Sequence, residues 1–173
     1  MPPADRPVRE ENEMDGQSGP PVDVDLHHQE ANKETAVTPT IAFKARLNVD
    51  TAVTNAGQTI VFPTVIFNEG DAYNPNTGMF TASVSGTYMF SLAFCVYSSR
   101  SLVVGIMIEG TKYTTSMFYG DGNHECLSAD TVAIVTAGQK IWVQVLPGGN
   151  TGTILDQDAM RWNTFAGALI NKR

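Results

Sequence analysis

Basic residues are scarce in this sequence: 11 Lys and Arg stand against 18 Asp and Glu, a formal net charge of −7. No basic stripe is available to follow a phosphate backbone, which excludes nucleic acid as the ligand. Long apolar runs are missing as well. The longest uncharged one, Leu102 to Ile108, is far too short to cross a bilayer. Catalytic equipment is thin. Of the three histidines, His27 and His28 fall early, which leaves His124 alone in the remainder. There is no Gly-x-Ser-x-Gly elbow, phosphate-binding loop or His-Glu-x-x-His motif, so the residues predict no enzyme. A Gly-X-Y run is absent, which argues against a collagen stalk. No Asn-X-Ser/Thr sequon occurs and the first residues hold no apolar signal core, so neither feature speaks for export.

The charge that is present is unevenly placed. Residues 1–40 hold nine acids and three bases, net −6, whereas residues 41–173 hold nine acids and eight bases, net −1. The first stretch contains proline and no aromatic residue, too little apolar surface to offset its ordering entropy. It predicts a disordered acidic tail over 1–39, followed by one globular domain over 40–173, a usual domain size. Segment 25–38 has some helical character but lacks the apolar heptads of a coiled coil. His27 and His28, beside Asp23 and Asp25, read as a solvated polar stretch.

The globular part reads as short strands punctuated by Gly, Asn, Asp and Pro. Ile41, Phe43, Ala45 and Leu47 alternate with Ala42, Lys44 and Arg46, the period of a half-buried strand. Thr59–Phe62 predicts a short strand ended by Pro63. Asn74-Pro75-Asn76-Thr77-Gly78 predicts a turn before the strand Met79–Val84. Tyr88, Phe90, Leu92 and Phe94 set large side chains on one face of the next strand, and Met89, Ser91, Ala93 and Cys95 set smaller ones on the other. Many short strands with regular turns predict a sandwich or jelly roll. Leu102–Glu109, Cys126–Val135 and Ile141–Leu146 are apolar on both faces. The outer faces of an isolated sandwich are polar, so these runs predict a covering surface, most economically a second subunit. Cys95 lies in one patterned strand and Cys126 opens another. They form either one disulfide in an oxidising compartment or two small buried thiols.

Phe62, Asn68, Tyr73, Phe80, Gly86, Tyr88 and Phe90 fall in an order and spacing that resemble the central signature of the complement C1q globular-head family. Ile41–Ala45 is similar to that family's first strand. Gly138–Val143 resembles its Gly-Asp-x-Val-x-Val segment, with Gln139 where Asp is usual, and Thr164–Ile170 resembles its closing strand. The resemblance covers roughly residues 40–173. It implies an all-β, ten-stranded antiparallel jelly roll shared with the tumour-necrosis-factor superfamily, usually trimeric, extracellular and not catalytic. It implies an innate recognition protein, lectin-like towards microbial or carbohydrate ligands, or else a matrix component or receptor-binding signal of the same fold.

Candidate contacts follow from loops and polar groups. Arg100, Lys112, Tyr113, Asp156, Asp158, Arg161 and Trp162 are candidate ligand-binding residues, since loops on a rigid scaffold carry recognition. Asp121, Glu125 and Asp130 are candidate calcium ligands, calcium being a cation that takes oxygen donors. Some members of the resembled family bind calcium at the trimer apex in this general region. No other cofactor is expected, and the expected partners are two further copies of the chain and a glycan or microbial surface.

Overall fold

The computed structural model of the chain describes residues 39–121, 125–150 and 152–173. The expected acidic tail, the helical segment 25–38 and the pair His27 and His28 lie outside the described residues, as does His124. Thirteen strands are described: β1 Ala42–Arg46, β2 Thr51–Val53, β3 Thr64–Glu69, β4 Tyr73–Asn74, β5 Met79–Thr81, β6 Gly86–Cys95, β7 Ser101–Ile108, β8 Thr111–Lys112, β9 Ser116–Tyr119, β10 Cys126–Val135, β11 Lys140–Val145, β12 Thr153–Leu155 and β13 Thr164–Lys172. The count exceeds ten because several pieces are only two or three residues long. No helix occurs among the described residues.

Two antiparallel sheets make an all-β jelly-roll sandwich. The first runs β10-β6-β13-β1-β3, and the second runs β4-β5-β11-β7-β8 with β9 also on β7. β8 pairs with Met107–Ile108 and β9 with Ser101–Val104, so they form one edge strand interrupted at residues 113–115. β2 and β12 form a small separate ladder.

The alternation read in the sequence defines the core. Phe43, Phe62, Phe80, Tyr88, Phe90, Phe94 and Phe165 are all fully buried between the sheets. Each such side chain contributes roughly 1.5–3 kcal/mol. Phe43 of β1 stacks on Tyr73 of β4 at 4.7 Å and meets Phe165 of β13 edge-on at 4.9 Å, so aromatic pairs tie the two sheets together. Gly167 keeps β13 close to this stack: a Cβ there would lie 2.7 Å from ring carbons of both Phe43 and Phe90.

Thr59–Phe62 departs from expectation. It makes one isolated bridge, Thr59 to Gln144, while the strand forms beyond Pro63 as β3. The Tyr73 hydroxyl occupies the Phe62 backbone instead, donating to its carbonyl at 3.1 Å and accepting from its N–H at 3.3 Å. Asn68 fastens the intervening loop. Its amide donates to the Tyr73 carbonyl at 2.9 Å, and its Oδ1 accepts the Tyr73 N–H at 3.0 Å.

The outer faces of the two sheets differ. β7 is buried on both sides, with Val103 8% and Met107 7% exposed on its outer side. Its cover comes from its own chain. A Cβ on Gly105 would lie 2.6 Å from the Thr114 carbonyl oxygen and 2.9 Å from the Leu146 side chain, so residues 113–115 and the loop after β11 close over that side. The expected subunit contact is therefore not needed on β7. Among the described residues the outer face of the five-stranded sheet has no such cover: Val132 is 54% and Ile134 61% exposed on β10, Met89 is exposed next to them on β6, and Phe67 is exposed on β3 at the opposite edge.

Candidate functional site

Two places concentrate features that ordinary surface does not show. The first is the bare face of the five-stranded sheet. Period-two alternation sends Ala42, Met89, Ser91, Ala166 and Ala168 outward there, opposite the aromatic core. Small residues on β1 and β13 leave a shallow hollow of about 190 Å³, walled by Phe67 and Met89 and floored by Gly167 over Phe43. The strand register arranges the outward residues in rows. Asp130, Ser91, Ala166, Lys44 and Phe67 make one row, and Val132, Met89, Ala168, Ala42 and Glu69 make the next.

The second place is the loop before β13. Asp156 and Arg161 form an ion pair at 3.1 Å, and Asp158 pairs with the same guanidinium. Asp158 also accepts the backbone N–H groups of Met160 at 2.7 Å and Arg161 at 2.8 Å. Those two bonds, with the Arg161 charge, hold its carboxyl below the usual carboxylate range. Trp162 is exposed and carries the Arg46 guanidinium 4.2 Å from its ring centroid, a cation–π contact. Buried Asn163 anchors the whole turn. It accepts the Cys95 N–H at 2.7 Å, donates to the Asp156 carbonyl at 2.6 Å and donates its own N–H to Gln157 at 3.0 Å. Asp50 accepts the Gln157 N–H at 2.7 Å and ties in the preceding loop.

Asp156, Asp158, Arg161 and Trp162 thus come together, with the acids turned on Arg161. The other candidates lie elsewhere. Arg100 sits in the exposed turn before β7, while Lys112 and Tyr113 run back alongside its far end, roughly 20 Å along the strand. The Tyr113 hydroxyl donates to the Val132 carbonyl at 3.1 Å and links the two sheets at their edges. Arg46, Asn163, Gln157 and Asp50 were not expected. Arg46 reads as the polar side of a strand, and the others act through contacts distant in sequence that no local pattern signals.

The calcium candidates do not assemble. Asp121 and Glu125 flank residues outside the described set, whereas Asp130 lies within β10 opposite Ser91. It is four strand residues beyond Cys126, about 13 Å from the loop. Among the described residues no group of three His, Cys, Asp or Glu side chains is placed to hold a metal. Cys95 and Cys126 are directly opposite on β6 and β10 and form a disulfide. No helix among the described residues is long and apolar enough to cross a membrane.

Comparison with known proteins matches the C1q domain over residues 42–170. Complement C1q tumor necrosis factor-related protein 7 of Mus musculus is 30% identical over 97 residues, covering 56% of this chain and 33% of that protein. Complement C1q and tumor necrosis factor-related protein 9A of Homo sapiens is 28% identical over 138 residues, covering 79% of this chain and 40% of that protein. The chain therefore spans well under half the length of these curated relatives. Among solved structures, the globular domain of zebrafish complement 1qA protein superposes with a TM-score of 0.60 at 20% identity, covering 78% of this chain and 99% of that one. Murine APRIL shares the fold at a TM-score of 0.54 and 10% identity, covering 76% of this chain and 99% of that one. With the family signature buried as one aromatic core and the match running from β1 to β13, the chain belongs to the C1q domain family.

Proposed function

We propose that this chain is an extracellular recognition module that works as a homotrimer and binds repetitive microbial or carbohydrate surfaces. The observation that carries the proposal is the bare apolar face of the five-stranded sheet, with Val132, Ile134, Met89 and Phe67 exposed around the hollow. Contiguous apolar surface of this kind marks an association site. Three copies would turn weak single contacts into avidity on a repetitive target. The Cys95–Cys126 disulfide supports an oxidising compartment. The anchored turn Asp156–Trp162, with Met160 and Trp162 exposed, offers a rigid contact surface for the ligand.

The test combines light scattering of the full chain with binding to a panel of glycans and microbes. A mass of three chains with glycan or microbial binding is expected. A single-chain mass at all concentrations, or no binding across the panel, sinks the proposal. The relatives named as tumor necrosis factor-related proteins favour a second reading, a trimeric signal for a cell-surface receptor or a matrix component. Recovery of one specific protein partner with no glycan binding would select it.

A further inference from the structure

We propose that association through the five-stranded sheet is registered by a charge pair between copies, Asp130 of one chain against Lys44 of the next. This inference rests on the reading that the chain assembles through that face.

A cyclic trimer joins two different surfaces of neighbouring copies, so each copy must present complementary parts. The bare face is divided in that way. Asp130 stands on β10 at one edge, and Lys44 stands on β1 towards the other. Ser91 and Ala166, between them in the same row, carry no charge. Among the described residues neither Asp130 nor Lys44 makes an ion pair within the chain. The other cation nearby, Arg46, is stacked on Trp162.

Height along the strands then selects the partner. Rotation about an axis parallel to the strands moves residues around that axis but not along it. With such an axis, a cross-strand row in one copy abuts the same row in the next. Asp130 and Lys44 belong to one row through Ser91 and Ala166, so they arrive at the same level. The adjacent row brings Val132 to the level of Ala42 and the hollow, where its methyl groups lose water. A shift by two residues one way places Asp130 against Ala42 and carries Val132 past the hollow; the other way brings Asp130 level with Arg46, whose guanidinium is already stacked on Trp162, and sets Val132 against the charge of Lys44. Charge and shape select the same register, and a charge opposite a wrong partner is penalised.

The test uses the full chain as four proteins: unaltered, Asp130→Lys, Lys44→Asp, and the double exchange. Association is read by sedimentation over a concentration series, and circular dichroism and thermal unfolding confirm that each variant folds. Each single reversal is expected to weaken trimer formation by about tenfold or more, and the double exchange to restore it to within about threefold of the unaltered chain. Raising salt weakens the unaltered trimer and the double exchange alike. Trimers unaffected by the single reversals, or a double exchange no tighter than the weaker single, overturn the pairing alone. Asp130→Lys assembling more tightly also overturns it, because the three acids would then face one another. A chain that stays single, or forms a twofold dimer, overturns the underlying assembly reading as well.

Discussion

β7 and β10 read alike as sequence, both apolar on two faces, yet they end in opposite situations. The outer side of β7 is closed by Thr114 and Leu146, while the outer side of β10 leaves Val132 and Ile134 in solvent. A two-faced apolar strand therefore indicates a cover without saying whose chain supplies it. The local difference lies in the neighbours. β7 lacks a side chain at Gly105, which lets the interrupted β8–β9 edge cross close over it. β10 pairs through an unbroken ten-residue ladder with β6, and no loop among the described residues closes over its outer side.

Substitution of Val132 should break that contrast with the largest effect. Val132→Asp places a charge in the apolar edge and is expected to weaken association by about a hundredfold, equivalent to about 2.8 kcal/mol. Folded-state stability should move by no more than about 1 kcal/mol, because the side chain is half in solvent. Sedimentation and denaturant unfolding measured on one sample separate the two quantities. Unchanged association would remove β10 from the interface.

Gly105→Ala probes the covered face and should have the reverse signature. Its Cβ would press on the Thr114 carbonyl oxygen at 2.6 Å, a backbone atom with little freedom to yield. Overpacking of this kind costs about 1–3 kcal/mol. Denaturant midpoints should fall, while the folded fraction associates as before. An unchanged midpoint would mean that the cover over β7 is loose.

Tyr73, on β4 of the second sheet and stacked on Phe43 of the first, serves as a control that moves stability irrespective of face. Burial pushes its phenol from the ordinary 10.0 up to about 12, against the opposing effect of the Phe62 backbone bond. The folded state thus favours the protonated phenol. Its contribution is complete below the unfolded value near pH 10 and is lost as pH rises through about 12. Tyr73→Phe should cost about 1 kcal/mol at neutral pH through the lost Phe62 bonds and flatten the alkaline decline. Unfolding midpoints measured between pH 8 and pH 12, about the range of the titration, test this. An equally steep decline in the variant would assign it to other groups.

The same contrast explains what could be read before folding. Tyr88, Phe90, Leu92 and Phe94 announce a core face because strand periodicity is local. Asp156, Asp158 and Arg161 are near one another in sequence, and a single turn gathers them. Arg100 and Lys112 are also near in sequence, but β7 runs out straight between them and carries them to opposite ends. Asp130 leaves the Asp121–Glu125 loop for the same reason: an extended strand converts small sequence separation into distance. Arg46 on Trp162 and Asn163 on Cys95 depend on the pairing of β13 with β1 and β6, strands distant in sequence. The cover over Gly105 belongs with them, which is why the pattern of β7 suggested a second subunit.

Tyr113 joins the two compared regions and gives the smallest effect. It sits where the β8–β9 edge is interrupted over β7, and its hydroxyl reaches the Val132 carbonyl on β10. Tyr113→Phe keeps the ring and removes one exposed hydrogen bond, which should lower stability by about 0.5–1 kcal/mol. Association should stay within about twofold, because the bond holds the backbone of Val132 and leaves its side chain directed outward, and the β6 ladder already fixes that backbone. Unfolding and sedimentation of this one variant decide how far the regions are independent. A loss of association larger than the loss of stability would mean that the covered edge sets the position of the bare one. Two small and unequal effects in the expected order would leave β10 preformed by its own sheet, with its outer side chains free for a partner.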